Sequence, residues 1–488
     1  MTWTVATATP NGVSTRSFTH IVICTGMYHT PEVALSEHQI SSFQGNIYHS
    51  SEMGSAEVRQ SLSESRNVVV VGAGKSALDL ATLIARGAWN GDGQKQTHVS
   101  LVYRRPHWLS PRKMIRGLVP FEKILFSRFI LAWQPFVKAP DRLHDLIANT
   151  AFGRWATEII FKIVTNDFVR SLHQSDLPQT IPSHPLSRAV SGALHVEPAG
   201  YLDSVRNGNI RIVEGTVKQA AGNTVHMTSP AGVVSQENVD AIVLATGYRL
   251  SFPFFDQQTI QSIGLVSKRS ENPSNLSSIR LHRLIAPPST VHQASPKAPF
   301  RNIAFSGFAY SLLNPAVAHI TAHWIADYFN GTIAPPAPHK VESEVTEFLA
   351  WQTATFGVHG AKGVHIGAHA PLYMDTLLSD MGLRSGHVES WEYSPRRLLE
   401  EWFRPMFPSV YASVGVDRQQ RAMLVKKQQK ASMQRGGGRT TYATQLSACG
   451  LFSVFILLMY IFFAVVTSYR SPKGEQYYNP IYFQLKYV

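Results

Sequence analysis

The residues best suited to chemistry in this chain lie between positions 67 and 105, and that chemistry is phosphate binding. The β-branched run Asn67-Val-Val-Val-Val71 leads directly into Gly72-Ala73-Gly74-Lys75-Ser76-Ala77. In a strand–turn–helix unit, Gly72 permits the tight turn and Gly74 lets the backbone approach a pyrophosphate. Ala77 is then the small residue that allows close helix–strand packing. The helix that follows would offer unpaired N–H groups and the positive end of its dipole, with Ser76 adding a hydroxyl donor beside Lys75. A GxGxxA string alone says little, but here the flanking strand and helix are both written into the sequence.

The next apolar run, 98–103, ends in Arg104-Arg105. An acidic residue at this place would accept the ribose 2′-hydroxyl of NAD. Two arginines instead suit a 2′-phosphate through charge-assisted, bidentate contacts, which predicts NADPH rather than NADH.

The elements that must hold these residues are short, near-continuous apolar runs at 19–24, 67–71, 99–103, 210–213, 241–245 and 303–306. Such runs read as strands buried on both faces of a parallel sheet. Helical patterns at 75–86 and 315–329 follow two of them, so the class is α/β. Between 114 and 175 the pattern turns to helix-compatible segments rich in Phe, Trp, Leu and Ile, notably 121–133 and 151–172, punctuated by Pro120, Pro135 and Pro140. This predicts a helical insertion. A basic amphipathic insertion can dock on lipid, but the plainer expectation is that it covers a cleft or packs on the sheet.

Two of the strands share an ending. Residues 19–26 close on Thr25-Gly26, and residues 240–248 close on Thr246-Gly247-Tyr248, one on each side of the glycine motif. Between them stands Phe43-Gln-Gly45-Asn-Ile-Tyr-His49-Ser-Ser-Glu-Met53. In this order the chain resembles the class B flavin-dependent monooxygenases, the group of flavin-containing and Baeyer–Villiger monooxygenases. Phe43, Gly45 and His49 match that group's FxGxxxHxxx[YW] fingerprint, whereas Met53 replaces its last aromatic. Trp108 fits the group, and residues 301–331, with a helix starting at Asn314-Pro315, resemble its returning flavin-domain segment.

The resemblance implies a fold of two Rossmann-like dinucleotide-binding domains. Residues 1–62 would be part of an FAD-binding domain, and 63–250 an NADPH-binding domain carrying the insertion 114–175. Residues 251–345 would return to the FAD domain, and 346–440 would form an extension and basic linker. Thr25, Gly26, Thr246, Gly247 and Asn314 would then join the glycines and arginines in cofactor binding, and Phe43, Gly45 and His49 would couple the domains. NADPH would reduce FAD, and a C4a-hydroperoxyflavin formed with O2 would pass one oxygen atom to a small-molecule soft nucleophile, an amine nitrogen or a thioether sulfur. No side chain in the motifs is an evident acid or base, so no catalytic residue is named. Only 24 residues precede Thr25, fewer than the roughly 30 of a βαβ unit. The sequence thus predicts a flavin half without its own glycine cradle. The alternative function is a truncated or degenerate, membrane-tethered NADPH-binding protein without turnover.

Other classes are disfavoured. A disulfide reductase needs a close cysteine pair, and the two cysteines are Cys24 and Cys449. His359, His365 and His369 lie in a Gly/Ala-rich stretch with no acidic or thiolate ligand beside them, so no metal is expected. The net charge of +13 comes without a nucleic-acid-binding signature and is partly local, at Arg418, Arg421, Lys426, Lys427, Lys430, Arg435 and Arg439. These precede 446–466, 21 uncharged residues that are long enough to span a membrane as a helix. The charge asymmetry predicts a cytosolic body and a single-pass anchor in the endoplasmic reticulum.

Overall fold

The computed structural model describes residues 2–423, apart from 90–96, 116, 135, 138–141, 190–193, 268–271, 292–293, 296–297, 300, 335, 358–359, 384–399 and 401. The expected spanning segment 446–466 lies outside the described residues, as does His359. Among the described residues no helix is long and apolar enough to cross a membrane.

The elements that position the site are, in chain order, β1 (Ile21–Ile23), β2 (Asn46–His49), β3 (Asn67–Val71), α1 (Lys75–Ala85), β4 (His98–Tyr103), β5 (Ile210–Glu214), β6 (Ala241–Leu244), β7 (Ile303–Phe305) and α2 (Asn314–Phe329). Five of them form one parallel sheet in the order β5-β4-β3-β6-β2. Val68, Val69 and Val70 at its centre are fully buried, each contributing about 1.5–3 kcal/mol of burial. Burial on both faces explains why β3 is an unbroken valine run rather than an alternating one. On one face α1 packs through Ala77, Leu78, Ala81 and Ile84. On the other lies the antiparallel ribbon Thr216–Gly222, Thr224–Ser229 and Gly232–Gln236, whose Val217, Val225 and Met227 complete the core.

The six apolar runs all appear as strands within a residue or two of the expected limits, and α1 and α2 stand where the sequence puts them. β2 pairs with β6 in this sheet, although residues 1–62 are expected on the flavin side. A second, smaller parallel pair is formed by β1 and β7, with Ile23 opposite Phe305. It packs on Phe252, Ile260, Leu265 and Phe308.

The insertion is less regular than expected. It opens with the antiparallel pair Lys113–Met114 and Val119–Pro120. The predicted helix over 121–133 is two short helices, Phe121–Leu125 and Arg128–Leu131. The break has a local cause: Ser127 caps the second helix, its hydroxyl accepting from the Ile130 N–H. The backbone freed there bonds a distant segment, with Met406 N–H donating to the Phe126 carbonyl at 3.0 Å. The helix Ala151–Ser171 runs as expected, capped by Thr150, and its Asp167 accepts from the Ile115 N–H at 2.9 Å. Arg128 ties the insertion to Asp375 at 2.8 Å. The insertion therefore packs on the protein body.

Candidate functional site: two nucleotide-facing strand edges

Register places the motif residues together. Val71 lies opposite Val102 and Leu244, and Leu244 opposite His49. The Gly72–Gly74 turn, Arg104-Arg105, Thr246-Gly247 and His49 therefore all stand at the carboxyl edge of one parallel sheet. Ligands of open α/β sheets bind at this edge.

The two glycines play different parts. Gly72 has φ of +140°, and a Cβ there would stand 2.3 Å from the Ala245 carbonyl oxygen. Only glycine lets β3 turn that close to the end of β6. Gly74 precedes α1 in ordinary extended backbone, and a Cβ there would meet nothing within 4 Å. Its small size serves no packing within the protein, but it leaves the mouth of α1 open to a ligand. α1 has no side-chain cap and no acidic residue in its first turn, so its leading N–H groups are available to an anion. Ser76 is exposed beside them, and Lys75 is paired with Asp79. Ala77 is fully buried under Gly72, as close packing requires.

Arg104 and Arg105 are exposed at the end of β4. Among the described residues neither makes an ion pair or a side-chain hydrogen bond. Two adjacent cations without internal partners, level with an open helix mouth, suit a second phosphate.

The Phe43–His49 motif is a clasp on β6. A Cβ at Gly45 would stand 2.5 Å from the Asp240 carbonyl oxygen and 2.6 Å from the Phe43 ring, so Phe43 and Gly45 let the chain enter β2 against the start of β6. At the other end His49 is buried. Its Nε2 meets the Gly247 carbonyl at 3.0 Å and its Nδ1 meets Ser51, while Glu52 accepts from the His49 N–H. Met53 packs on the core beside Val58 and Leu62.

Past their Thr-Gly endings the two linkers run together, which the sequence does not reveal. Thr30–Pro31 pairs antiparallel with Tyr248–Arg249, Glu32 N–H donates to the Gly247 carbonyl at 2.8 Å, and the Thr246 hydroxyl donates to the Glu32 carbonyl. Thr30 and His29 both bond Ser251. Lys362, with no motif around it, donates to the Tyr248 carbonyl at 2.8 Å; burial holds its ammonium below the ordinary lysine pKa, and Glu32 only partly opposes this.

At the β1–β7 edge, Gly26 and Gly307 have φ of +71° and +83°, and a Cβ on either would meet nothing within 4 Å. Asn314 is placed differently from the expectation of a cofactor ligand: its Oδ1 accepts from the Ser311 N–H and hydroxyl at 3.1 and 3.0 Å. It shapes the turn into α2, and what faces outward is the helix start. Among the described residues Gly72–Gly74 is the one glycine turn joining a buried strand to a helix in this manner, and no group of three or more metal-ligating side chains is found. His365 meets the Tyr310 ring at a tilt, with centroids 4.7 Å apart, and His369 is buried against Phe136 and Trp351.

Two parallel strand edges, one ending in a glycine turn and an open helix mouth, are joined by paired linkers in an α/β protein. The chain belongs to the flavin-binding monooxygenase-like family, which matches residues 1–192 and 203–467. It is 24% identical over 420 residues to flavin-containing monooxygenase 3 of Oryctolagus cuniculus, covering 85% of this chain and 66% of that one. It is 22% identical over 467 residues to flavin-containing monooxygenase 1 of Rattus norvegicus, covering 94% and 76%. The chain thus spans just under two thirds of the length of the first of these relatives. Among solved structures it is similar to the S-allyl-L-cysteine S-oxygenase of Allium sativum (17% identity, 86% of this chain and 63% of that one, TM-score 0.43). It is also similar to OTEMO in complex with FAD and NADP (12% identity, 78% and 79%, TM-score 0.44).

Proposed function

We propose that this chain is an NADPH- and FAD-dependent monooxygenase that inserts one oxygen atom from O2 into a soft nucleophile, an amine nitrogen or a thioether sulfur. The observation that carries the reading is the pairing of Gly74, where a Cβ would meet no protein atom within 4 Å, with Arg104 and Arg105, exposed cations without an ion-pair partner among the described residues. In the NADPH half, Gly72 sets the turn, Gly74, Ser76 and the α1 N–H groups hold the pyrophosphate, and the two arginines hold the 2′-phosphate. The open backbone at Gly26 and Gly307, together with the start of α2, fits one wall of a flavin site. Thr25, Thr246 and Gly247 border that wall. A flavin held there would supply the redox chemistry between NADPH and O2. The chain's own task is to orient the nicotinamide and exclude water, and the Thr30–Pro31/Tyr248–Arg249 crossover holds the two edges at one spacing while it does so.

The reading includes domains near 63–250 for NADPH and 1–62 with 251–345 for FAD. It also includes a membrane tether at 446–466, with the body on the cytosolic side of the endoplasmic reticulum. Alkaline carbonate extraction of the full chain and of a chain ending before 440 tests the tether: only the full chain should stay with membranes.

The decisive experiment is the visible spectrum of the full chain purified in detergent. A stoichiometric flavin band, bleached by NADPH without air and restored by O2 with oxidation of an added tertiary amine or thioether, supports turnover. NADPH binding with no flavin after reconstitution supports the tethered, non-turnover reading.

A further inference from the structure

A tyrosine follows each of three glycines with left-handed φ: Tyr28 after Gly26, Tyr248 after Gly247 and Tyr310 after Gly307. The first and third leave the β1–β7 edge and the second leaves β6, yet the three rings meet. Tyr28 stands edge-on to Tyr248, with centroids 5.4 Å apart, and edge-on to Tyr310 at 6.5 Å. The other two are braced from behind. Tyr248 lies edge-on to His49 at 5.3 Å, and its backbone is held by Pro31 and Lys362. Tyr310 tilts on His365. Tyr28 differs from both, with 58% of its surface exposed. Its hydroxyl is nonetheless raised above the usual tyrosine value, first by burial and then by the neighbouring Tyr310 and Tyr248 hydroxyls. An accessible ring with protein crowded around its hydroxyl lies in a cleft, not on a knob.

Sheet topology sets what this cleft would face. β3, β4 and β5 follow one another outward on one side, whereas β6 and β2 lie on the other, so the strand order reverses between β3 and β6. A dinucleotide lies across such a reversal, with its pyrophosphate at the first strand–helix turn and its adenosine ribose at the end of the second strand. On the NADPH reading these places are Gly72–Gly74 and Arg104-Arg105, at the ends of β3 and β4. The other half of the dinucleotide then has the β6 side to occupy. There a Cβ on Gly72 would stand 2.3 Å from the carbonyl oxygen of Ala245, three residues before Tyr248. The nicotinamide is thereby directed toward Tyr248 and the rings that meet it.

We propose that Tyr28, braced by Tyr248 and Tyr310, is the seat of the nicotinamide ring and holds its oxidised, cationic form more tightly than its reduced form. A tyrosine face attracts a cation through its quadrupole, whereas the reduced ring is uncharged and gains only contact area. The seat uses the ring of Tyr28 and not its hydroxyl. This rests on the NADPH reading of Gly74 and the two arginines.

The test is calorimetric titration of the full chain in detergent with three ligands. They are NADP+, tetrahydro-NADP, whose uncharged ring cannot give up a hydride, and 2′,5′-ADP, which has no nicotinamide. Tyr28→Ala should weaken NADP+ about three- to tenfold and tetrahydro-NADP by less, while 2′,5′-ADP stays within about twofold and shows that the variant is folded. Tyr28→Phe keeps an aromatic face and should hold all three within about twofold of the wild type. Unchanged NADP+ binding in Tyr28→Ala, an equal loss for all three ligands, or a Phe variant as weak as the Ala variant each overturns the seat and leaves the arginine site standing. Equal losses for NADP+ and tetrahydro-NADP overturn the preference for the cationic ring. If the wild type binds neither NADP+ nor 2′,5′-ADP, or Arg104→Ala weakens neither, the NADPH reading falls and takes this one with it.

Discussion

Nε2 of His49, at the end of β2, lies 3.0 Å from the carbonyl oxygen of Gly247, just past the end of β6. The same carbonyl accepts the Glu32 N–H from the other linker at 2.8 Å. One oxygen thus joins the carboxyl edge of the five-stranded sheet, the fingerprint histidine and the strand that leads back to the β1–β7 edge. His49 is a positioning residue, with its ring nitrogens engaged by Gly247 and Ser51 rather than turned to a reacting atom.

Replacing His49 by alanine should therefore slow hydride transfer without emptying the NADPH site. The lost bond to a buried carbonyl should cost about 1–2 kcal/mol of stability. Stopped-flow flavin bleaching should slow by about tenfold for a comparable loss of alignment, while NADPH affinity stays within about twofold. An equal loss of affinity would place His49 in nucleotide binding instead.

Gly72→Ala and Gly74→Ala should separate folding from binding. The first drives a Cβ against the Ala245 carbonyl and should lower the melting temperature sharply or prevent folding. The second meets no protein atom and should melt like the wild type, yet on the proposed reading its methyl group would obstruct the approach of a pyrophosphate. NADPH fluorescence titration of Gly74→Ala should show at least about a tenfold weakening.

Arg104→Ala should remove a charge-assisted contact to the 2′-phosphate and leave the rest of the dinucleotide untouched. NADPH binding should weaken by about 1.5–3 kcal/mol, and NADH binding should not change. A parallel loss for both nucleotides would place the arginine on the shared pyrophosphate.

Asp327→Asn should loosen the attachment of residues 414–423. Asp327 is buried on α2 and accepts from Arg418 and from Arg421, the latter at 2.8 Å, while Arg418 also meets His323 at 2.7 Å. Burial alone would raise its carboxyl, but the two guanidinium groups outweigh that and bring it below the usual value. A folded-state pKa below the unfolded one, about 3.9, means that the clamp stabilises fully above that pH and is lost as pH falls through the folded value. The substitution should cost about 2–3 kcal/mol at neutral pH. The gap in melting temperature between wild type and variant should be flat from about pH 5 to 8 and close below about pH 4.

That clamp also changes the meaning of the positive charge ahead of 446–466. Arg418 and Arg421 look in the sequence like the first members of a basic linker, but they are bound to the protein body. Nothing in the order of residues marks them apart from Lys426 or Arg435, because their partner lies on α2, 91 and 94 residues earlier.

The sequence by itself determined the strand–glycine–helix unit, the arginines after β4 and the α/β class. Each rests on local rules: β-branched residues in a doubly buried strand, a small residue where backbones touch, a 3.6-residue period in α1. Even Gly45 and His49 were legible as a motif. Their action was not, since it consists of contacts with Asp240 and Gly247, which only the register of β2 on β6 supplies. Tertiary structure alone decided that β2 joins the sheet of β3, β4, β5 and β6, and that Arg418 and Arg421 close on Asp327. The physical reason is common to both. A local pattern fixes which face of an element is apolar, whereas a polar group's partner is set by whatever distant backbone or side chain the packed core brings within hydrogen-bond reach.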